Sequence, residues 1–350
     1  MQKALETWSI SLGSLLVSVL LVALFIASTG NGPGDVFYSL YRGAFGSWFS
    51  WQNTMVRAAP LFLTALCTAL PARVGLIVIG GEGAFVVGGL SATMAGVAVQ
   101  NAPPVVVLSI MMLVASLTAG AWIMAVGALR YYRNVNETIS SLLLNYIAIA
   151  ILNFLVIGVL RDPATLNNPS TYAIGDQNML GAIGASNVHW GLIYGITACT
   201  LMWVMARKST FGFAADVTGG NIRAARLVGL PVAKIVLISC FLGGAAAGIA
   251  GAVEIAAVQG RANAALNAGY GYAGILVAFL ARHNPLAIIP YALLLGGIQA
   301  AGGLLQRQHD LPDATVAVIQ GIIFIVILSS EMLYGRMRWF QPRQVAKNGN

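Results

Sequence analysis

The chain has 350 residues, of which 58% are hydrophobic and 9% are charged, whereas soluble domains carry about 25% charged residues. This composition excludes a soluble globular domain and indicates an all-α polytopic membrane protein. The net charge of +8 does not indicate nucleic acid as a partner, because the 19 Lys and Arg residues lie mainly in short loops between apolar segments that face membrane lipid.

Apolar segments follow one another along the chain, and most are long enough to cross about 30 Å of hydrocarbon. Ten are predicted, at 10–27, 54–70, 74–99, 105–129, 138–160, 190–206, 235–258, 273–281, 286–305 and 314–333. The first is expected to remain as an uncleaved helix. Residues 30–51 are expected to be an external, aromatic-rich segment, and residues 161–188 the longest external loop.

The basic residues give the orientation, since short cytoplasmic loops are enriched in Lys and Arg. With both termini inside, fourteen basic residues lie on the inner side and five on the outer side. This predicts a multi-pass protein with both termini in the cytoplasm. Residues 1–350 are expected to form one transmembrane domain, in which 1–160 and 189–335 are two related halves, 161–188 is external and 336–350 is a cytoplasmic tail.

Two apolar segments are interrupted by glycine. One break is Val78-Ile-Gly-Gly-Glu-Gly83, and the other is Gly269-Tyr-Gly-Tyr-Ala-Gly274, which precedes a segment too short to cross a bilayer. Non-helical backbone at membrane depth has to be buried in protein or to line a cavity. Corresponding breaks in two halves point to a transport site between inverted repeats, and five segments per half would make the halves inverted. The predicted fold is therefore two inverted five-segment repeats with broken helices.

Two acids, Glu82 and Glu254, lie within apolar runs, where a carboxylate is costly. Glu82 either faces a substrate path or accepts hydrogen bonds from the broken backbone or a neighbouring helix. Glu254 is expected to reach interfacial water, and Asn145 either joins two helices or lines the path. The candidate pathway residues are Glu82, Gly80, Gly81, Gly83, Phe85, Asn145, Tyr270 and Tyr272.

The stretch 213–234 is among the longest polar interruptions of the chain. Asn221 is a good N-cap, Gly229 suits the left-handed position after a helix, and Pro231 prevents continuation. This predicts a separately capped helix of about two turns, within an element spanning 219–230. It is either an ordinary basic cytoplasmic loop or a docking helix for a partner protein. The candidate docking residues are Gly220, Asn221, Arg223, Ala225, Arg226 and Gly229.

The remaining residues suited to chemistry do not form a catalytic or metal-binding pattern. Cys67, Cys199 and Cys240 fall inside apolar segments, and the three histidines lie at segment ends, where they are expected at the interface. The sequence has no phosphate-binding loop. We therefore expect no catalytic residue, no metal and no cofactor in this chain, and a nucleotide-driven process would need its motor on another polypeptide.

Two motifs resemble a known family. Val135-Asn-Glu-Thr-Ile-Ser-Ser-Leu-Leu-Leu-Asn-Tyr146 is similar to the signature of nucleoside and simple-sugar permeases, and Gly220-Asn-Ile-Arg-Ala-Ala-Arg226 with Gly229 is similar to a cytoplasmic coupling element. Through these motifs, residues 54–335 resemble the inner-membrane permease subunits of bacterial ABC importers, in the branch serving ribose, branched-chain amino acids and nucleosides.

The resemblance implies an ATP-driven importer of the bacterial inner membrane that works by alternating access. It implies a second permease (the same or a sister chain), ABC ATP-binding subunits that use ATP and Mg²⁺, and an extracytoplasmic solute-binding protein, with membrane lipid around them. A nucleoside, a purine-like solute or a simple sugar is the expected cargo.

The sequence departs from the nucleoside branch at the first break. That branch usually reads Asn-Ile-Gly-Ala-Glu-Gly-Gln, where this chain has Val78 and Ala84 in place of Asn and Gln. The departure leaves the solute open. An ion-coupled secondary transporter would also place Glu82 at a broken helix but would not need a capped basic helix. A structural membrane protein is disfavoured by the paired breaks.

Overall fold

The chain folds entirely into helices and loops over the residues that the structure describes. A computed structural model describes the backbone of residues 2–165, 167–312 and 314–331, and the side chains of those from 13 to 330. The helices are α1 Gln2–Ser28, α2 Pro33–Phe45, α3 Trp48–Ala72, α4 Gly81–Ala98, α5 Pro104–Arg133, α6 Glu137–Ile157, α7 Gly191–Lys208, α8 Thr210–Gly220, α9 Ile222–Leu227, α10 Val232–Glu254, α11 Tyr270–Leu280, α12 Pro285–His309 and α13 Ala314–Glu331. The expected tail at 336–350 lies outside the described residues.

Several helices are long and apolar enough to cross a bilayer. Within the described residues these are α3, α5, α6, α12 and α10, the last of which continues through a π-helical turn to Gln259. A sixth candidate is the pair formed by residues 13–28 and α2, which are bent by 112° at a short break. These findings agree with a multi-pass membrane protein, and they do not confirm the count of ten spans or the repeat architecture.

The structure corrects the sequence prediction in three places. Residues 30–51 contain α2 and the start of α3, because Pro33 suits the first helical position and the Ser47 hydroxyl caps α3 by accepting a hydrogen bond from Ser50 N. The helix predicted from residue 74 begins only at Gly81, and residues 76–79 run without regular structure. The start of α11 is also earlier than predicted, so Tyr270 and Tyr272 lie in its first turn.

Contacts divide the chain into two units. One comprises Met1–Arg42 with Ala301–Asn350, and in it α1 packs on α13. The other, Gly43–Ala300, contains both glycine breaks and α9. Every residue of the candidate site lies in this second unit.

Helix α10 is the central helix of the Gly43–Ala300 unit and packs against α3, α4 and α5. The close approach depends on glycine, since a Cβ at Gly248 would lie 2.3 Å from the carbonyl oxygen of Ala115 in α5. A Cβ at Gly251 would lie 2.1 Å from the carbonyl oxygen of Phe85 in α4. Small residues at such crossings let membrane helices pack backbone to backbone, which explains why glycine occurs at these two positions of α10.

The long loop after α6 pairs with the segment that follows α10. Backbone N–H groups of Thr171, Ile174 and Leu180 donate to the carbonyl oxygens of Ala262, Gly260 and Ala256 at 3.0, 3.0 and 2.6 Å. The loop therefore lies over the end of α10 and holds the π-helical turn in place.

Candidate functional site

The first glycine break is held by side chains from another helix. Helix α4 begins after Gly80, which has no side chain to cap it, and Asn145 of α6 supplies the cap instead. Its Oδ1 accepts a hydrogen bond from Gly83 N at 2.7 Å, and its Nδ2 donates to the carbonyl oxygen of Ile79 at 2.8 Å. Ile79 N donates to the hydroxyl of Ser141, one turn earlier in α6, at 3.0 Å. The N–H groups of Ile79 and Gly83 and the carbonyl oxygen of Ile79 therefore all have hydrogen-bond partners.

The second break is capped by a residue of the first. Helix α11 begins after Gly269, which likewise offers no capping side chain. Glu82 accepts hydrogen bonds from Gly269 N at 2.8 Å and Gly271 N at 2.6 Å, and the N–H of Tyr272 interacts with the same carboxylate. A carboxylate at the positive end of a helix is favourable both as an acceptor and through the helix dipole. Glu82 therefore joins the two halves of the predicted repeat.

The two breaks touch each other backbone to backbone. A Cβ on Gly271 would lie 2.1 Å from the nitrogen and 2.4 Å from the Cα of Glu82, distances that no side chain tolerates. A Cβ on Gly81 would lie 3.4 Å from the carbonyl oxygen of Gly271. We call this contact between the starts of α4 and α11 the break crossing. Glycine is required at 271 because the atoms that a Cβ would meet are backbone atoms.

Sequence reasoning missed three hydroxyl residues that support the crossing. Thr68 of α3 donates to the carbonyl oxygen of Val78 at 3.1 Å, and Thr64, one turn earlier, lies 3.1 Å from the carbonyl oxygen of Tyr270. Ser141 completes the set. A signal was present, because Thr64 with Thr68 and Ser141 with Asn145 are polar pairs four residues apart in apolar helices, which places each pair on one helix face.

The structure brings the predicted pathway residues together at the break crossing. The ring of Phe85 lies 5.7 Å from that of Tyr270, both side chains are buried, and Glu82 and Asn145 are fully buried. Tyr272 is 40% exposed and its hydroxyl interacts with the Asn145 side chain. Glu82 and Asn145 thus make the backbone contacts that were one of their two alternatives, and a role in a substrate path stays a prediction.

The other acid lies in a setting that the sequence did not predict. Glu254 is 6% exposed, so it is buried rather than at interfacial water. The reason is that the chain continues from the end of α10 at Glu254 into a π-helical turn, Ile255–Gln259, which the loop after α6 covers.

The short capped helix predicted from the sequence is present as α9, and its docking role stays a prediction. The Asn221 side chain accepts hydrogen bonds from Arg223 N at 2.9 Å and Ala224 N at 3.1 Å, so Asn221 is the N-cap. Gly229 has φ of +78°, the left-handed conformation expected after the helix. Gly220 ends the preceding helix α8, and Ala225 lies on the buried face of α9. Local sequence was enough to predict this element because its caps lie within it.

The outer face of α9 is apolar as well as basic. Leu227 is 88% exposed and Val228 is 70% exposed, and the guanidinium of Arg226 lies 5.6 Å from the centre of the Tyr131 ring. Asp216, the acid nearest in sequence, is paired with Arg73 at 2.6 Å rather than with an arginine of α9. Helix α9 therefore presents exposed leucine, valine and Arg223 to its surroundings.

Comparison with known proteins shows what this architecture belongs to. Residues 50–328 match the family described as branched-chain amino acid transport system / permease component. The chain is 32% identical over 311 residues to the glucose ABC transporter permease protein TsgB13 of Haloferax volcanii, covering 85% of this chain and 81% of that protein. It is 29% identical over 346 residues to the guanosine ABC transporter permease protein NupP of Bacillus subtilis, covering 94% and 95%.

A solved ABC transporter structure of the metal-chelate type, in an inward-facing conformation, is similar at 12% identity with a TM-score of 0.47, covering 92% of this chain and 98% of that one. At that score no conformation or site is transferred from it. The family match gives no support to the ion-coupled carrier that the sequence left open. The chain therefore belongs to the branched-chain amino acid transport system permease family and is a multi-pass, all-helical ABC permease component.

Proposed function

We propose that this permease imports an uncharged polar solute, a nucleoside, purine-like compound or simple sugar, by alternating access. Two relatives that cover most of the chain are named for guanosine and glucose. The residues gathered at the break crossing support the proposal, since they combine amide, hydroxyl and aromatic groups, and the acid among them, Glu82, is already bonded to backbone N–H groups. With that carboxylate already bonded, the crossing offers no free charge to an ion, which favours a neutral solute.

The departure from the nucleoside pattern has little weight in choosing the solute. Val78 and Ala84 are both fully buried and belong to the same hydrophobic cluster as Ile123 and Val236. Their side chains pack in the protein core, so replacing Asn and Gln at these positions changes core packing. A nucleoside therefore remains as good a candidate as a sugar.

The observation that carries the ATP-driven mechanism is the exposed face of α9. Six residues form no stable helix alone in water, so the conformation is maintained by its caps and by the buried Ala225. A rigid surface with Leu227, Val228 and Arg223 fits a groove of a partner protein that is apolar with an acidic rim. We propose that the partner is an ABC ATP-binding subunit, which uses ATP and Mg²⁺, and that α9 transmits its motion to the permease.

The test is copurification of the ATP-binding subunit with the full-length permease. The double variant Arg223→Glu with Leu227→Asp should abolish copurification and uptake, because it reverses a charge and places a carboxylate in an apolar contact. Lys208→Glu, an exposed charge reversal in α7 outside the docking element, is the matched control and should behave as the wild type. Full association of the double variant would overturn the docking role of α9.

The same proposal extends to the architecture around the permease. It places ten segments in two inverted repeats in the bacterial inner membrane, with both termini cytoplasmic, a second permease alongside and an extracytoplasmic binding protein on the outer side. The crossing of α4 and α11, each of which begins after a glycine and is capped by a side chain from elsewhere in the chain, supports the repeat. Reaction of single cysteines with an impermeant reagent in whole cells tests it: position 172 should react and position 208 should not.

A further inference from the structure

A second polar cluster lies where α10 passes into its π-helical turn. It consists of Arg57 of α3, Glu254, Gln259 and Tyr270, and we call it the Glu254 cluster. Gln259 Nε2 lies 3.5 Å from Glu254 Oε1, and the Tyr270 hydroxyl interacts with the Arg57 side chain. The guanidinium of Arg57 also interacts electrostatically with Glu254. Tyr270 connects the cluster to the break crossing, since its ring lies against Phe85.

The π-helical turn creates the cluster. In a regular α-helix, residues five apart point about 140° away from each other and do not meet. Here Gly260 N donates to the carbonyl oxygen of Ile255 at 2.8 Å, the five-residue spacing of a π-helix, and Gln259 consequently comes within reach of Glu254. Turns of this kind are rare and occur frequently at functional sites, where they reorient one side chain.

One acceptor of the cluster is left without a donor. The Oε1 atom of Gln259 is buried and has no hydrogen-bond partner among the described residues. Buried polar atoms in native proteins are nearly always satisfied, so an unsatisfied one calls for a bound molecule or a specific role. A hydroxyl or N–H group of a bound solute would satisfy this atom.

The position of Arg57 shows which kind of surface the cluster borders. Arg57 is exposed on this chain, and it lies six residues after the exposed Trp51 in α3, about 9 Å further along the helix. Tryptophan of this kind marks the membrane interface, so Arg57 lies at membrane depth. An arginine facing lipid there is costly, and such residues normally face a water-filled path.

We propose, on the basis of the proposed import function, that the Glu254 cluster is a hydrogen-bonding station for the solute on the outer side of the break crossing. The charges of Arg57 and Glu254 offset each other, which favours a neutral solute. Guanidinium and amide N–H groups donate, while the carboxylate and the free amide oxygen accept, a combination that matches adjacent hydroxyl groups. The Tyr270 and Phe85 rings add a surface on which a sugar or base can lie.

Cysteine labelling tests whether the station borders water. The native residues Cys67, Cys199 and Cys240 are buried, so the wild type gives a low background. Gln259→Cys and Arg57→Cys in the complete importer should react with a charged, membrane-impermeant thiol reagent applied from outside, as should Tyr172→Cys in the long loop. Protection of both cluster cysteines from the reagent would overturn the proposal, and a crosslink between two copies at Arg57→Cys would show that this face is a subunit contact.

Uptake measurements test whether the station handles the solute. In cells with the whole importer, [³H]guanosine and [¹⁴C]glucose are the probes. Arg57→Met, Glu254→Gln and Gln259→Met should each lower the maximal uptake rate by about tenfold at unchanged membrane abundance, since one hydrogen bond to the solute is lost. Arg57→Lys should be intermediate. The exposed neighbour Val258→Met is the control and should keep the wild-type rate.

The labelling and uptake experiments together distinguish a failure of the station from a failure of the proposed function. Wild-type cells that take up neither probe would refute the proposed solutes, and the labelling result would still decide whether the cluster borders water. Unchanged maximal uptake in the cluster variants, with a wild type that transports either probe, would overturn the station alone. A rise only in the half-saturating concentration would assign the residues to reception of the binding protein and would also contradict the proposal.

Discussion

The break crossing and the Glu254 cluster each contain one buried carboxylate in an apolar run, yet their surroundings differ. Glu82 meets three backbone N–H groups, two of them at 2.8 and 2.6 Å. Glu254 has an amide at 3.5 Å and a guanidinium whose other partner is Tyr270. Burial is therefore a poor guide to function here, and the partners of each acid are a better one.

The difference indicates that Glu82 has a structural role in a fixed contact between two helices, whereas Glu254 belongs to a site whose side chains can rearrange. The partners of Glu82 are fixed backbone groups, so any movement there breaks hydrogen bonds in two helices at once. The partners of Glu254 are side chains, which unlike backbone groups can adopt other rotamers, and one of their acceptors is unsatisfied. We therefore expect substitutions at the crossing to lower stability and substitutions in the cluster to lower transport.

The largest effect is expected for Gly271→Ala at the crossing. The new Cβ would lie 2.1 Å from Glu82 N, and neither backbone can move without breaking the caps of α4 and α11. Overpacking of side chains costs about 1–3 kcal/mol, and a clash between two backbones costs more. Folded protein should be absent on size-exclusion chromatography in detergent. Gly303→Ala, where a Cβ would meet nothing within 4 Å, is the control; normal yield of both variants would contradict a backbone contact at 271.

A smaller loss is expected for Asn145→Ala. The substitution leaves Gly83 N and the carbonyl oxygen of Ile79 without their partners, at about 1–3 kcal/mol for each buried group. The midpoint of thermal unfolding in detergent should fall clearly while some folded protein remains. Ser141→Ala removes one bond to the same break and should lower the midpoint by less. Equal midpoints for wild type and Asn145→Ala would show that the break does not need its cap.

The smallest effect is a dependence on pH near the Glu254 end of α10. Burial lowers the pKa of His189, whose Nδ1 accepts a hydrogen bond from Gly191 N at 3.2 Å. The unfolded chain therefore binds the proton more readily, and stability is lost as pH falls below about 6.5, the ordinary histidine pKa. Unfolding midpoints at pH 8 and pH 5.5 should differ less in His189→Gln than in the wild type, and an undiminished difference would assign the acid sensitivity elsewhere.

The local features of this fold could be predicted from sequence, and the features that join distant segments could not. The caps of α9 lie within a few residues of the helix that they cap, so Asn221 and Gly229 were identified correctly. The caps of α4 and α11 come from 62 and 187 residues away, which no local pattern indicates. The π-helical turn that places Gln259 beside Glu254 has no sequence signature. Glu254 was expected at the interface because it lies near the outer end of its predicted segment.

Composition and glycine patterns predicted apolar helices and the positions of the two breaks. The apolar segments at 105–129 and 138–160 became α5 and α6 with ends shifted by a few residues, because charged or proline residues bound them. Both breaks were located from glycine alone, but their mutual contact was not. Only the folded chain shows that Gly271 and Glu82 meet.

The central claim is that Glu82 holds the fold together while Glu254 serves the solute. It is tested most directly by measuring thermal unfolding of purified Glu82→Gln and Glu254→Gln side by side with the wild type. An amide at 82 has a single acceptor oxygen and turns N–H groups toward backbone donors, so Glu82→Gln should unfold at a clearly lower temperature. Glu254→Gln should unfold close to the wild-type temperature. A wild-type midpoint for Glu82→Gln, or a strongly lowered one for Glu254→Gln alone, would contradict the account.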